Sequence, residues 1–279
     1  MYIKHALTQA SQRLKVISPS PQLDAQLLLA DITGHKRTFL LSHGEVELSP
    51  VHLSEFEQLV ERRALGEPVA YIRGVKEFYG REFVVNKSVL IPRPETEALV
   101  ERGVALLKEK EDPLRLLDLG TGSGCIVISI AAELRRLGRK IHAVAVDNSL
   151  GALNVAEINA KRHEVNVDFR SGNWFGAIGR SETFQLIVSN PPYIDVGDTR
   201  VSPETKFEPT EALYSEDDGL KDLGEIVRAA PKFLSTGGSL LVEIGHGQGE
   251  KVSRYIDSHL GKIHQDFGGL ERVVEWTFT

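Results

Sequence analysis

The chain reads as a doubly wound α/β domain behind a small helical bundle, and three observations predict it. From residue 115 onward, apolar strand-like runs alternate with helical stretches, the pattern of an open parallel sheet. The first of these runs ends in a glycine loop, Gly120-Thr121-Gly122-Ser123-Gly124. Before residue 70 the apolar positions recur at helical spacing instead, with polar residues on the opposite faces.

The helical part comes first. Ile3, Ala6, Leu7, Ala10 and Leu14 share one face of a helix. Leu23, Leu27 and Leu28 repeat the pattern and stop near Gly34. Ser49-Pro50 places an N-cap before a proline at the first helical position, and Phe56, Leu59, Val60 and Ala64 follow until Gly66. Tyr71-Ile72 and then Glu77 to Val85 read as extended, with Gly80 as the turn of a hairpin. The division expected is a helical bundle over 1–70, a hairpin linker over 71–89 and a catalytic domain over 90–279.

The alternating part follows. Pro94 opens a helix after Ile91. Strands are expected over Arg115–Leu119, Ile141–Val146, Val167–Arg170, Phe184–Val188, Ser239–Ile244, Lys262–Asp266 and Val273–Phe278. Helices are expected over Cys125–Leu137, Leu150–His163, Leu220–Leu234 and Glu250–His259. Sheets of this kind bind ligands beyond the carboxyl ends of their strands. Function is therefore sought just after Leu119, Val146, Arg170 and Val188.

Composition narrows the classes. With 279 residues, 41% of them hydrophobic, the chain can bury a real core. A single cysteine, Cys125, cannot form an internal disulfide and supports no Cys/His zinc pattern, which fits a reducing cytoplasm. No apolar run reaches the ~18 residues of a membrane span, and the opening residues lack an apolar signal-peptide core. Residues 1–75 hold eight basic and eight acidic side chains, so the formal net charge of −6 sits in the remainder. That balance argues against nonspecific binding to nucleic acid or anionic lipid.

The motifs carry the chemistry. In the glycine loop, alternating glycines let the backbone turn sharply and let a ligand lie against it. The helix that follows aims free N–H groups at that ligand. The spacing is G-x-G-x-G, not the G-x-G-x-x-G of dinucleotide binders. Asp147 ends the second strand, 29 residues after Asp118. Its carboxylate can accept both hydroxyls of a ribose, while Ser149 is placed to cap the next helix. Loop and acid together predict an adenosine-containing cofactor, either NAD or S-adenosylmethionine. After the third strand, Trp174 could stack on adenine and Asn173 could bond its amine; a core tryptophan is the plainer alternative.

Asn190-Pro191-Pro192-Tyr193 is the most specific signal. Two prolines remove two backbone donors and stiffen the loop. Asn190 Oδ1 and the Pro191 carbonyl can each accept one N–H, which is what holding an –NH₂ group requires. Tyr193 can stack on a flat amide or base. Other residues have plainer readings. Arg93 could meet a cofactor carboxylate or the substrate backbone, or form a salt bridge. Glu95 and Glu97 suit the first turn of a helix. Cys125 suits the core. Glu216-Asp217-Asp218 reads as a solvated loop. The nine histidines show no ligand spacing, so no metal is expected.

Asn-Pro-Pro-Tyr after Asp-Leu-Gly-Thr-Gly-Ser-Gly resembles the class I S-adenosylmethionine-dependent methyltransferases that modify planar nitrogens. Leu90–Glu97, Val188–Asp195, Phe207-Glu208-Pro209 with Ala212-Leu213, and Asp266–Val273 resemble the HemK/PrmC family in particular. The resemblance covers essentially the whole chain. One departure is Asn173, where the family pattern carries Asp.

The resemblance implies a Rossmann-like sheet with the last strand antiparallel. It implies N5-methylation of the glutamine in the Gly-Gly-Gln motif of class I peptide chain release factors, with S-adenosylmethionine as cofactor and S-adenosylhomocysteine as product. Cofactor contacts carry over to Gly120, Thr121, Gly122, Ser123, Gly124, Asp147, Trp174 and Asn190. Catalytic and glutamine contacts carry over to Asn190, Pro191, Pro192 and Tyr193. The partner expected is a release factor bound by a cytoplasmic monomer, with no direct nucleic acid and no membrane. A DNA or RNA adenine methyltransferase could use the same tetrapeptide but would need a basic groove for phosphates. An NAD oxidoreductase leaves the tetrapeptide without a role, and a non-enzymatic adapter leaves the intact motifs without one.

Overall fold

A computed structural model describes residues 1–198, 201–252, 255 and 261–278, and the chain divides into two compact units. The first comprises Met1–Val75 together with Ser202–Phe207; the second comprises Lys76–Val201 and Glu208–Thr279.

The first unit is helical. Helices α1 (Ile3–Leu14), α2 (Pro21–Thr33), α3 (Arg37–Ser42), α4 (Pro50–Ala64) and α5 (Val69–Arg73) surround a core that includes Ile3, Leu14, Leu28, Leu29 and Phe56. Ser49 caps α4 by accepting from the His52 N–H at 3.1 Å, and Gly34 ends α2 with φ 68°. Arg63 is buried and reaches Asp24 at 2.8 Å and Glu204 at 2.5 Å. Removing one partner of such a buried pair is strongly destabilising, by about 3–5 kcal/mol.

Tyr71-Ile72 corrects the sequence reading. These residues are helical, in α5, not extended. Pro68 starts the turn, and its carbonyl accepts from Tyr71 and Ile72 at 3.0 and 3.1 Å. Gly74 stops it in the left-handed region at φ 73°. Start and stop signals outweigh the extended preference of a β-branched and an aromatic residue over so short a run.

The second unit opens with a hairpin, β1 (Val75–Phe78) and β2 (Arg81–Val84), turned at Gly80. A seven-stranded sheet follows, built from β3 (Leu114–Leu119), β4 (Ile141–Asp147), β5 (Val167–Ser171), β6 (Phe184–Ser189), β9 (Leu234–Glu243), β10 (Gly261–Gln265) and β11 (Glu271–Thr277). Two short strands, β7 (Ile194–Asp195) and β8 (Tyr214–Ser215), pair separately. The order is β10-β11-β9-β6-β3-β4-β5, and only the last strand, β11, runs antiparallel to its neighbours. Helices α7 (Cys125–Arg136) and α8 (Leu150–Arg162) lie in the crossovers from β3 to β4 and from β4 to β5, and α6 (Glu97–Leu107) precedes β3.

Both sheet faces are buried, as parallel strands require. Leu116 belongs to a core with Val127, Ile130 and Leu99, while its neighbours Leu117 and Leu119 join Val144, Ile187 and Leu240. The chain lays down β3, β4 and β5 outward in one direction, then returns to place β6 on the other side of β3. This is a topological switch point, the place where such folds open a crevice. The register pairs Leu119 with Ser189, so residues 120 and 190 leave the sheet side by side.

Two boundaries differ from expectation. The helix expected over Leu220–Leu234 spans Lys221–Ala229, and β9 begins at Leu234, five residues earlier than expected. Pro231 cannot donate the helical bond, and the chain takes a short 3₁₀ turn before the strand. Of the helix expected over Glu250–His259, Gly249–Val252 is helical, and residues 253, 254 and 256–260 lie outside the described residues. No helix among the described residues is long and apolar enough to cross a membrane.

Candidate active site

A cavity of about 610 Å³ lies at the carboxyl ends of β3, β4, β5 and β6. Its wall includes Gly120, Thr121, Gly122, Ser123, Asp147, Trp174, Asn190 and Pro192. Gly124, Pro191 and Tyr193 do not line it.

The glycine loop is left-handed at φ 69°, 56° and 79° for Gly120, Gly122 and Gly124. At Gly120 a Cβ would stand 3.2 Å from the Trp174 ring, so the glycine lets the indole close over the loop. Gly124 serves packing, because a Cβ there would come within 2.8 Å of Ile128 and 3.2 Å of Ala156.

Asp147 faces this loop. Its Oδ2 accepts from the Gly122 N–H at 2.8 Å and its Oδ1 from the Ser149 N–H at 2.9 Å. Ser149 caps α8, accepting from the Ala152 N–H at 3.2 Å, which leaves the aspartate free of that task. Each carboxylate oxygen retains acceptor capacity for a ligand hydroxyl. Burial raises the Asp147 pKa, and the backbone N–H groups oppose that rise.

Asp118, inside β3, is fully buried, and burial pushes its pKa up to about 7. Its Oδ2 accepts from the Thr121 hydroxyl at 2.7 Å, tying the start of the loop to the strand. Cys125 is buried with its thiol pushed up to about 12, as a packing residue and not a nucleophile would be.

On the other side of the crevice, Asn190 donates through Nδ2 to Thr96 Oγ1 at 3.3 Å. Its Oδ1 is thereby turned away from Thr96. Tyr193 is held three ways. Its hydroxyl donates to Glu243 Oε1 at 3.4 Å, and its carbonyl accepts from Gln248 Nε2 at 3.0 Å. Gly219, at φ 78°, lies so close to that carbonyl that a Cβ would stand 2.1 Å from the oxygen. Burial and the Glu243 carboxylate raise the Tyr193 pKa, keeping the phenol neutral. Tyr193 lines a second cavity of about 860 Å³ with Asp195, His246 and Lys251.

Arg93 forms a salt bridge. Its Nη2 donates to Glu208 Oε1 at 2.5 Å, and Glu208 Oε2 accepts from the Ile91 N–H at 3.0 Å. That pair joins the Ile-Pro-Arg-Pro and Phe-Glu-Pro segments beside the cavity. Glu97 accepts from the Tyr79 N–H at 2.9 Å, a structural bond to the hairpin. Thr96, Glu243 and Gln248 were not singled out by sequence reading. Their signal is their place in chain segments that end beside the tetrapeptide only after folding.

Comparison with known proteins adds a family. Residues 5–74 match the PrmC N-terminal domain, and residues 110–263 match a methyltransferase domain. A release factor glutamine methyltransferase of Aliivibrio fischeri is 42% identical over 92% of this chain and 90% of its own. One of Coxiella burnetii is 43% identical over 98% and 97%. Among solved structures, the hMettl16 catalytic domain in complex with an RNA hairpin superposes with a TM-score of 0.58 at 12% identity, covering 92% of this chain and 91% of its own. At that identity the likeness is one of fold.

Proposed function

The chain belongs to the release factor glutamine methyltransferases, and from that premise we propose how its own residues carry the transfer. The reaction moves a methyl group from S-adenosylmethionine to the side-chain amide nitrogen of a release factor glutamine, which we take to be that of the Gly-Gly-Gln motif. Three features of the cavity fit the cofactor: left-handed glycines against which a ligand can lie, a partly buried carboxylate with spare acceptor capacity, and an indole face. Asp147 would take the ribose hydroxyls, Trp174 the adenine, and the loop from Gly120 to Gly124 the chain between them. Bound there, the cofactor supplies an electrophilic methyl on a cationic sulfur and leaves as S-adenosylhomocysteine.

The acceptor side has a harder task. An amide nitrogen is a poor nucleophile, because its lone pair is delocalised into the carbonyl. The tetrapeptide holds no strong base. Asn190 Oδ1 and the Pro191 carbonyl therefore act by position and by electrostatics. Each accepts one amide N–H, which fixes the nitrogen in the crevice and favours the positive charge that develops on it during attack. Tyr193, held through its hydroxyl by Glu243 and through its carbonyl by Gln248, anchors the tetrapeptide behind Asn190. The observation that carries this reading is the orientation of Asn190, whose NH₂ is committed to Thr96 while its oxygen remains available.

The decisive experiment is incubation with labelled S-adenosylmethionine and a release factor. Label should enter a factor carrying Gly-Gly-Gln and not one carrying Gly-Gly-Ala. Equal labelling of both would overturn the assignment of the acceptor.

The enzyme would act as a cytoplasmic monomer on the protein alone, and residues 1–75 would grip the factor away from the reacting glutamine. Val51 and Leu65 expose apolar side chains on that unit. Changing both to Asp should raise KM for the intact factor by about tenfold, a loss of roughly one contact of 1.4 kcal/mol, and leave KM for a Gly-Gly-Gln peptide unchanged. Equal changes for factor and peptide would remove the gripping role.

A further inference from the structure

We propose that Gln248 is a positioning residue for methyl transfer. With Gly219 it latches the Tyr193 carbonyl, and so keeps Asn190 Oδ1 and the Pro191 carbonyl aimed at the substrate amide. The inference rests on the reading of those two acceptors and extends it to a side chain and a turn outside the tetrapeptide.

The tetrapeptide is fastened at both ends. Ser189, the last residue of β6, sits in the sheet, and its hydroxyl donates to the Leu119 carbonyl at 2.8 Å. Pro191 and Pro192 have fixed φ, so few soft torsions remain between Ser189 and Tyr193, and the segment shifts as a unit. Whatever holds Tyr193 therefore also sets where the two acceptors stand. Directly beyond it, the Ile194 N–H donates to the Leu213 carbonyl at 3.0 Å, where β7 pairs with β8.

Gln248 is committed to this far end. Its Nε2 carries two hydrogens. It donates to the Tyr193 carbonyl at 3.0 Å and to the Asp218 carbonyl at 3.2 Å. Its Oε1 accepts from the Gly245 N–H at 2.8 Å. That third bond fixes which way round the amide lies, because the reverse would set an oxygen against two carbonyls. One side chain thus joins the tetrapeptide, the loop after β9 and the acidic turn Glu216–Gly219.

The acidic turn supplies the other half of the latch. Asp217, Asp218 and Gly219 are all left-handed, at φ 57°, 58° and 78°. Two successive non-glycine residues in that region are costly and persist only where their surroundings hold them. Here the Leu220 N–H donates to the Glu216 and Asp217 carbonyls at 3.1 and 3.0 Å, and Lys251 Nζ to Asp218 Oδ2 at 2.9 Å. Glu216, Asp217 and Asp218 are exposed, whereas Gly219 is buried. A Cβ on Gly219 would stand 2.1 Å from the Tyr193 oxygen and 2.9 Å from Gln248 Nε2. The strained turn therefore presses its one residue without a side chain onto the carbonyl that Gln248 holds.

All variants are made in the full-length protein. Gln248→Met keeps the length of the side chain and removes both donors. With both substrates saturating, it should lower kcat by about 10–100-fold and leave KM for S-adenosylmethionine within about twofold, since a misplacement of about 1 Å costs roughly 10²-fold. Gly219→Ala should lower kcat as far. Gly138→Ala, also left-handed at φ 77° but with no atom within 4 Å of the added Cβ, should keep kcat within about twofold.

Gln248→Glu separates the hydrogen bond from packing. Ionised, the carboxylate only accepts and opposes the Tyr193 and Asp218 carbonyls; protonated, it donates again. Asp195, Asp198 and Asp218 line the same cavity, and Glu271 of β11 reaches the adjoining Gly249, all favouring the protonated acid. Lys251, His246 when protonated, and Arg272, which donates to the Ile244 carbonyl at 3.1 Å, oppose it. The ratio of variant to wild-type kcat should rise about tenfold as pH falls from about 8 to about 5. The Tyr193 ¹³C carbonyl resonance should shift in Gln248→Met and, in Gln248→Glu, titrate back toward its wild-type position over the same range.

If Gln248→Met or Gly219→Ala does not fold, Gln248→Glu carries the test. A kcat within about twofold of wild type in Gln248→Met, or a flat ratio across pH in Gln248→Glu, would overturn the proposal. A wild-type enzyme that labels no glutamine would instead overturn the assignment of the acceptors, and the carbonyl resonance would still decide whether Gln248 holds Tyr193.

Discussion

Two loops leave the sheet side by side, after β3 and after β6, and they are built from opposite materials. Gly120–Gly124 takes three left-handed glycines and so exposes its backbone. Its own N–H groups are largely committed: Gly120 and Thr121 donate to the Val146 carbonyl at 2.9 and 3.0 Å, Gly124 to the Thr121 carbonyl at 2.9 Å, and Gly122 to Asp147 at 2.8 Å. Asn190–Tyr193 contains two prolines, which remove two donors and fix the path of the chain. What it offers is acceptors: an amide oxygen and a carbonyl. The difference teaches how one crevice handles two ligands. The glycine side is shaped for close approach along its length. The proline side is stiff and aimed at a single –NH₂ group.

If this division holds, mutations on the two sides should separate in kinetics. The largest effect belongs to the acceptor side. Asn190→Ala should lower kcat by about 10²-fold or more, by comparison with loss of one preorganised donor from an oxyanion hole. A near-wild-type kcat with both substrates saturating would break the comparison at its most specific point.

On the glycine side the effect should fall on binding. Asp147→Ala should raise KM for S-adenosylmethionine by about tenfold or more while kcat changes by no more than a few-fold, the signature of uniform binding lost. Isothermal titration of the cofactor checks the same change without catalysis. A fall in kcat equal to that of Asn190→Ala would mean that the loops do not divide the work. Trp174→Ala should act in the same sense but more weakly, about three- to tenfold in cofactor affinity, since stacking contributes roughly 0.5–1.5 kcal/mol beyond burial.

The smallest effect concerns stability. Asp118 has a folded pKa near 7, above the ordinary value of 3.8. Between those values the folded carboxyl holds a proton that the unfolded chain releases. Stability from this group is therefore lost as pH rises across the window. Asp118→Asn keeps an acceptor for Thr121 and removes the buried charge. Its gain in Tm should grow from about pH 5 to about pH 8, to several degrees at the upper end. A gain independent of pH would show that the charge is not what burial opposes.

Much of this was legible in the chain. Alternating glycines, adjacent prolines, the Ser49-Pro50 cap and the strand–helix alternation are local signals, and each acts through residues within a few positions. The exceptions are instructive. Tyr71-Ile72 looked extended because the two residues favour strands, but Pro68 and Gly74 bracket a run too short for anything beyond one turn of helix. Arg93 had three readings open. The choice among them depended on Glu208, more than a hundred residues away.

By itself the sequence determined the family, the sheet with its final antiparallel strand, and the chemical character of both loops. The character of the loops follows from backbone restrictions that glycine and proline impose wherever they stand, whereas the family and the antiparallel strand were implied by the resemblance of its motifs. Only the tertiary structure decided that residues 120 and 190 emerge together, because strand order places β6 beside β3 after β4 and β5 have been laid on the other side. It alone brought Thr96 and Glu243 behind the tetrapeptide. A hydrogen bond depends on which donor meets which acceptor in space, and segments far apart in the chain carry no sign of that meeting until the sheet has formed.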